Sequence, residues 1–168
     1  MSEILPLSTA FIALGSNLAD PQTQVARGLD ELASLPGTSV LARSSFYASA
    51  PVGYADQPDF VNAVATIGTT LSPTVLLHAL LALEQQHGRE RGVPNGPRTL
   101  DLDLLLYGDL QYHEAGLSIP HPRMHERAFV LLPLTEIAPD CVIPGKGRAS
   151  DWLVKCGAQS LRKINNRK

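Results

Sequence analysis

The chain has 168 residues, of which 44% are hydrophobic and 18% are charged, and these values suit one globular domain, residues 1–168, with a single core. A net charge of -2 argues against bulk binding of nucleic acid, because no excess of Lys and Arg is present to displace counterions. The two cysteines match no zinc signature, the N-terminus lacks the basic region of a signal peptide, and no apolar run approaches the roughly 18 residues of a membrane span. We expect a protein of the reducing cytoplasm and take it to be a monomer.

Strands and helices alternate along the chain. Apolar runs bounded by Gly, Pro and Asn predict strands, and apolar residues at helical spacing predict helices. The predicted elements are strand 9–14, a helix from Asp20-Pro21 to Pro36, strand 38–47, loop 50–58, strand 60–71, a helix from Ser72-Pro73 through Glu84, loop 87–97, strand 99–107, a helix over 124–138 interrupted by Pro133, turn 145–147 and helix 149–156. This β-α-β-β-α-β order with a helical tail is typical of a ferredoxin-like α+β domain, an antiparallel sheet with helices on one face.

The most informative predicted strand is acidic. Asp101 and Asp103 stand two positions apart, so on a strand both carboxylates share one face. The alternate side chains, expected to point into a core, are Leu102, Leu104 and Leu106. Paired carboxylates suit Mg²⁺, which keeps several waters and shares the oxygens of substrate phosphates. A solvated strand face is the more common explanation for such alternation taken alone.

Three arginines precede this strand. Arg89, Arg91 and Arg98 flank a stretch rich in Gly and Pro, and a guanidinium group matches the oxygens of a phosphate. Together with the two aspartates they favour a site for a metal-bound polyphosphate. We further expect loop 87–97 to close over the substrate and exclude water.

Other candidate residues are ambiguous on the sequence alone. Asn62 lies in an apolar strand, where a hydrogen bond to the backbone and a ligand contact are about equally plausible. Phe60 and Phe129 are more often core residues than stacking surfaces. The Walker and dinucleotide-binding glycine patterns are absent, and Phe129 stands where a zincin helix that starts at His125-Glu126 needs its second histidine.

Five stretches carry a family resemblance: residues 13–18 (ALGSNL), 56–63 (DQPDFVNA), 84–91 (EQQHGRER), 96–103 (GPRTLDLD) and 120–129 (PHPRMHERAF). In combination they resemble the 6-hydroxymethyl-7,8-dihydropterin pyrophosphokinase family of folate biosynthesis, over about residues 10–144. The resemblance implies a ferredoxin-like, cytoplasmic transferase that moves pyrophosphate from ATP to the hydroxymethyl group of the pterin and releases AMP. Two Mg²⁺ ions, ATP and the pterin are the implied cofactors and partners, without nucleic acid or membrane.

The resemblance also implies a role for each matching residue. Metal ligands would be Asp101 and Asp103, which with Arg89 and Arg98 form the catalytic set. The nucleotide-binding residues would be Glu84, Arg89, Arg91, Arg98, His121 and Arg127. The pterin-binding residues would be Asn62 by hydrogen bonding, Phe60 and Phe129 by stacking, and Ser49, Ala50 and Val52 through the backbone.

Two departures and two alternatives accompany this interpretation. Several relatives carry Trp where this chain has Asn95, which bears on how the loop closes, and some carry Tyr where it has Pro122. A ferredoxin-like domain that binds nucleotide or RNA without catalysis is one alternative, although two aspartates on the strand face would repel RNA. A metal-dependent phosphohydrolase is the other, and it would leave Asn62, Phe60 and Phe129 without a shared purpose.

Overall fold

The computed structural model describes residues 7–18, 20–50, 59–88, 99–157 and 161–164. The strands are β1 (Ser8–Ser16), β2 (Thr38–Arg43), β3 (Tyr47–Ser49), β4 (Phe60–Thr69), β5 (Asp101–Tyr107), β6 (Tyr112–Glu114), β7 (Leu117–Ile119), β8 (Val142–Ile143), β9 (Gly147–Arg148) and β10 (Leu161–Lys163). The helices are α1 (Pro21–Leu32), α2 (Pro73–Gln86), α3 (Ala128–Ile137) and α4 (Ala149–Cys156), with a 3₁₀ turn at Met124–Glu126. No helix within these ranges is both long enough and apolar enough to span a membrane.

The main sheet is antiparallel throughout. Its strand order is β10-β3-β4-β1-β5, and β2 pairs with the second half of β4 on the edge that β3 occupies along the first half. Strands β6 with β7 and β8 with β9 form two small hairpins. The ferredoxin-like class predicted from the element order is confirmed.

Helices cover both faces of the sheet, whereas the sequence predicts them on one. Helices α1 and α2 pack on the first face, and α3 and α4 pack on the second. The first core includes Ile12, Leu14, Leu29, Ile67, Leu76 and Leu80. The second core includes Val64, Leu105, Leu106, Leu131 and Leu134. The predicted helical tail is therefore not an appendage, because it supplies the apolar cover of the second face.

A β-bulge in β5 interrupts the alternation of side chains that the sequence predicts for its leucines. Phe11 of β1 lies opposite Leu106 and Ile12 lies opposite Leu104, so Leu105 is an extra residue. Leu104 therefore joins the core beneath α1 and α2, whereas Leu105 and Leu106 both join the core beneath α3. The prediction that Leu106 shares a face with Leu102 and Leu104 is wrong for this reason.

The predicted strand 38–47 is divided into β2 and β3. At Ser44 the side-chain oxygen accepts the N–H of Val64 at 2.9 Å, and the N–H of Ser45 is directed to the carboxylate of Glu136 in α3 at 3.0 Å. Side-chain bonds of this kind compete with regular strand pairing. Glu136 also accepts the hydroxyl of Tyr47 at 2.7 Å, so α3 holds the chain where the two strands separate.

The predicted helix 124–138 is also divided, but not at Pro133. Arg127 is extended (φ -119°, ψ 108°) and separates the 3₁₀ turn from α3. Pro133 lies inside α3, where it removes one hydrogen bond without ending the helix. The break at Arg127 turns its side chain and that of Phe129 towards the end of the sheet, where a cavity lies.

Candidate active site

A cavity of about 390 Å³ lies at one end of the sheet, on the face covered by α3. Because β1 runs antiparallel to β4 and β5, its last residues meet the first residues of both neighbours there. The 3₁₀ turn and the start of α3 form the opposite wall. The described lining residues are Ala13, Leu14, Gly15, Ser49, Ala50, Phe60, Asn62, Asp101, Asp103, Arg123, Glu126, Arg127, Phe129 and Val130.

The two aspartates of β5 face this cavity together. Asp101 lies opposite Gly15 and Asp103 opposite Ala13, and all four residues line the cavity. Both aspartates are half-buried. Within the described residues no group of three or more His, Cys, Asp and Glu could hold a metal. The pair nevertheless fits Mg²⁺ bound to a polyphosphate, because that ion takes one or two carboxylates and completes its shell with phosphate and water oxygens.

Asn62 presents an acceptor to the cavity. Its Nδ2 donates to the hydroxyl of Ser49 at 2.8 Å and to the carbonyl of Tyr47 at 3.3 Å. A carbonyl only accepts, so the amide nitrogen must face Tyr47 and Oδ1 faces the other way, towards Gly15. Phe60 lies on the adjacent edge of the same cavity. An acceptor oxygen fixed beside an aromatic ring suits a flat heterocycle with N–H groups.

Arg127 links the acidic and aromatic parts of the cavity. Its guanidinium lies 5.5 Å from the centre of the Phe129 ring. Burial lowers the pKa of Arg127, and the carboxylates of Asp103 and Asp101 oppose that shift. The group remains a cation at any working pH, so it adds a fixed positive charge to the cavity that the aspartates and Phe129 also line.

His121 lies near these charges but not among the lining residues. Burial lowers its pKa to about 4, and the positive charge of Arg127 adds to the shift. Its Nδ1 accepts the N–H of Arg123 at 3.2 Å, so the neutral ring carries its proton on Nε2. His121 is therefore a hydrogen-bond donor at neutral pH rather than a cation.

Glu84, predicted for the nucleotide set, also lies outside the described lining. It is 3% exposed on α2, which packs on the opposite face of the sheet, and its Oε2 accepts the N–H of Leu102 at 2.6 Å. The remaining predicted residues lie outside the described residues. They are Val52, Arg89, Arg91 and Arg98, together with Asn95 and most of loop 87–97.

Sequence reasoning assigned no role to several residues that line the cavity. Arg123 and Glu126 are a half-exposed pair 3.7 Å apart, and they fall inside the 120–129 stretch that carries the resemblance. Gly15 falls inside the 13–18 stretch and lies on strand β1, which continues beyond its predicted end at residue 14. Their place in those stretches was the available signal, whereas nothing in the sequence distinguished Ala13 and Val130 from ordinary core residues.

The chain matches the profile of the 7,8-dihydro-6-hydroxymethylpterin-pyrophosphokinase (HPPK) family over residues 11–139. It is 44% identical over 158 residues to the 2-amino-4-hydroxy-6-hydroxymethyldihydropteridine pyrophosphokinase of Pseudomonas aeruginosa, covering 94% of this chain and 98% of that protein. It is 46% identical over 157 residues to the protein of the same name from Haemophilus influenzae, covering 94% and 98%.

Solved structures agree on the fold. A crystal structure of Plasmodium falciparum HPPK-DHPS A437G superposes with a TM-score of 0.71 at 13% identity, covering 92% of this chain and 46% of that longer chain. At this identity the likeness concerns the fold alone. The profile match and the two bacterial relatives extend over most of the chain and include the residues that build the cavity. The chain therefore belongs to the 7,8-dihydro-6-hydroxymethylpterin-pyrophosphokinase family.

Proposed function

We propose that this chain transfers pyrophosphate from ATP to the hydroxymethyl group of 6-hydroxymethyl-7,8-dihydropterin, giving the pterin diphosphate and AMP in folate biosynthesis. The named relatives support this activity. One observation carries the proposal, namely that the carboxylate pair of β5 and the amide and aromatic side chains at the start of β4 share one cavity. A donor polyphosphate and a flat acceptor can therefore lie side by side.

The pterin occupies the part of the cavity formed by β1, β3 and β4. Oδ1 of Asn62 accepts from an N–H group of the ring, and the ring stacks against Phe60 and Phe129. Ser49 and Ala50 border the same region and bring backbone groups within reach of the ring edge. This arrangement supplies a few fixed polar contacts within apolar walls, which is how small heterocycles are usually bound.

The triphosphate lies along β5 and the start of α3. Asp101 and Asp103 would hold the Mg²⁺ ions, which would neutralise the charge of the phosphates. Arg127 supplies a fixed cation on the opposite wall, and His121 donates from Nε2. We also assign Arg89, Arg91 and Arg98 to the nucleotide side, Arg89 and Arg98 as catalytic cations, and the backbone of Val52 to the pterin side.

The reaction needs positioning more than covalent chemistry. The hydroxymethyl oxygen attacks the β-phosphorus and loses its proton to water. The bond from that phosphorus to the oxygen carried by the α-phosphate breaks, so AMP leaves with that oxygen, and the β- and γ-phosphates move together. Charge builds up on phosphate oxygens in such transfers, so fixed cations and alignment lower the barrier. With a pKa of about 4, His121 is a poor base at neutral pH, which favours a donor role for it.

One assay tests the function. The protein is incubated with ATP and Mg²⁺, with and without the pterin, and the nucleotide products are separated. We expect AMP and pterin diphosphate only when the pterin is present, and no turnover after chelation of Mg²⁺. ADP or free phosphate without the pterin would indicate a phosphohydrolase. Binding of both ligands without any product would indicate a binding domain.

A matched pair of variants tests whether the acidic residues of β5 take part in the reaction. Asp103→Asn should lower kcat by at least about 100-fold, because it removes one of two charges that hold the metal. Asp109→Asn changes the same type of residue at an exposed position after the strand and should leave kcat unchanged. Equal kcat values for the two variants would remove Asp103 from the site.

We further propose that the chain acts as one domain and as a monomer in the cytoplasm. Strands near both ends of the chain, β1 and β10, belong to one sheet, which supports a single domain. Sedimentation velocity should therefore give the mass of one chain. A dimer would contradict the proposal.

A further inference from the structure

A buried carboxylate lies behind the aspartate pair, on the other face of the sheet. Glu84 follows Leu76, Leu80 and Leu83 on the buried side of α2, and it is 3% exposed. A carboxylate in such an apolar stripe is costly unless it is hydrogen-bonded. Its Oε2 accepts the N–H of Leu102 at 2.6 Å, which is a short hydrogen bond.

This bond lies at a special place in the sheet. Strand β5 ends the described strand order, so one of its edges has no neighbouring strand there. Leu102 lies opposite Leu14 of β1, but its N–H donates to Glu84. The carboxylate thus takes the position that an acceptor on a further strand would occupy.

Leu102 is the residue between the two aspartates. Its N–H belongs to the peptide plane that joins Asp101 to Leu102, so holding that N–H restricts the backbone on both sides of the plane. The spacing and direction of the Asp101 and Asp103 side chains follow from that backbone. Glu84 therefore acts on the aspartates from the edge of β5, without being among the described lining residues of the cavity.

We propose that Glu84 is a positioning residue that sets the geometry of the aspartate pair through the peptide N–H of Leu102. The proposal rests on the function proposed above, in which the pair holds Mg²⁺ beside the triphosphate. It differs from the nucleotide-binding role that the family resemblance implies, because it requires no contact between Glu84 and ATP. It also differs from a purely structural role, because it couples Glu84 to metal affinity.

Three variants test the proposal. Glu84→Leu removes the acceptor, Glu84→Gln keeps an acceptor oxygen without the charge, and Gln85→Ala is a control at the next, exposed position of α2. Each is measured for hydrogen exchange of the Leu102 amide by NMR. Binding of Mn²⁺ in the presence of a non-hydrolysable ATP analogue is followed by electron paramagnetic resonance, and pterin binding by calorimetry.

For Glu84→Leu we expect exchange of the Leu102 amide to rise by about tenfold or more. Mn²⁺ affinity should fall about 10- to 100-fold, as it does when residues that orient metal ligands are changed. Pterin affinity should stay within about twofold of the parent, a margin of ~0.4 kcal/mol. Glu84→Gln should lie between the parent and Glu84→Leu in both exchange and metal affinity, and Gln85→Ala should match the parent.

Two results would overturn the proposal. Faster exchange at Leu102 with unchanged Mn²⁺ affinity would give Glu84 a structural role alone. Unchanged exchange with weaker binding of the metal-free ATP analogue would make Glu84 a direct nucleotide ligand. If Glu84→Leu does not fold, Glu84→Gln decides the question on the same two readouts. A parent protein that forms no AMP would refute the proposed function and still leave the exchange and metal results interpretable.

Discussion

Replacement of Gly15 by alanine separates pterin binding from folding. A Cβ atom at Gly15 would lie 3.4 Å from Oδ1 of Asn62, 3.8 Å from the carbonyl oxygen of Val61 and 3.9 Å from Cδ1 of Phe60. These are ordinary van der Waals distances, so the methyl group fits without displacing its neighbours. Because glycine within a strand costs about 0.5–1 kcal/mol relative to alanine, the free energy of unfolding should stay constant or rise.

The same methyl group should weaken pterin binding. It lies against the Asn62 oxygen that we assign as the acceptor for the ring, and beside the Phe60 edge on which the ring stacks. Loss of a hydrogen bond to a buried acceptor costs about 1–3 kcal/mol, which corresponds to a dissociation constant roughly 5- to 150-fold higher. Gly15→Ala should therefore be as stable as the parent or more so, yet bind pterin poorly.

Calorimetry with 6-hydroxymethylpterin and urea unfolding measure the two effects. Gly68→Ala is the matched control, since Gly68 lies at the other end of β4, where the nearest neighbours of a Cβ would be the exposed Leu7 and Leu41 side chains at 3.3 and 3.5 Å. The control should bind pterin like the parent. Parent-like affinity in Gly15→Ala would refute the idea that the ring lies on this part of the cavity, and a large loss of stability would refute the packing argument.

Two further predictions concern pH. Burial raises the pKa of Glu136, but hydrogen bonds from Tyr47 and Ser45 outweigh it and leave the pKa below the ordinary 4.5. Its contribution to stability is therefore present above pH 4.5 and is lost as the pH falls through the lower folded value, so Glu136→Gln should cost about 1 kcal/mol at pH 7 and less at pH 3 in urea unfolding. A constant difference would contradict this. His121 has a folded pKa of about 4 against 6.5 in the unfolded chain, so the unfolded state binds more protons between these values and stability falls with falling pH. His121→Asn should flatten that dependence by up to about 1.4 kcal/mol per pH unit, and an unchanged slope would argue against a neutral, buried His121.

The local sequence pattern predicted the fold well where the backbone conformation depends on residues that are close in sequence. The Ser72-Pro73 helix start is found, with the Ser72 hydroxyl accepting the N–H of Val75, and α4 has the predicted bounds. The pattern failed where a distant partner decided the backbone. The break between β2 and β3 depends on Glu136, which lies 91 residues from Ser45 in sequence. The bulge at Leu105 depends on how β5 pairs with β1, and the sequence of β5 alone does not predict it.

The site was predictable to the extent that its residues carry unusual chemistry. Asp101 and Asp103 break an apolar run, and Asn62 interrupts another. A polar side chain within an apolar run is a sequence signal for a functional residue. Gly15 has no side chain that could give such a signal. Its part in the cavity follows from the strand register, which places it opposite both Asn62 and Asp101. Glu84 was noticed only through the family resemblance, and the side of the sheet on which it lies could not be inferred from that.

The location of the cavity follows from how far α3 covers its face of the sheet. That helix begins only after the extended Arg127, so its apolar residues pack over Val64, Leu105 and Leu106, and the cavity lies beside them at the end of β1. The bulge at Leu105 turns two successive side chains of β5 under α3. Before the bulge, strict alternation keeps the carboxylates of Asp101 and Asp103 facing the cavity. One strand thus provides core on one side of the bulge and a charged wall on the other. A slip of β5 by one residue against β1 would turn both carboxylates towards the core beneath α1 and α2, so the register of this strand constrains catalysis as well as packing.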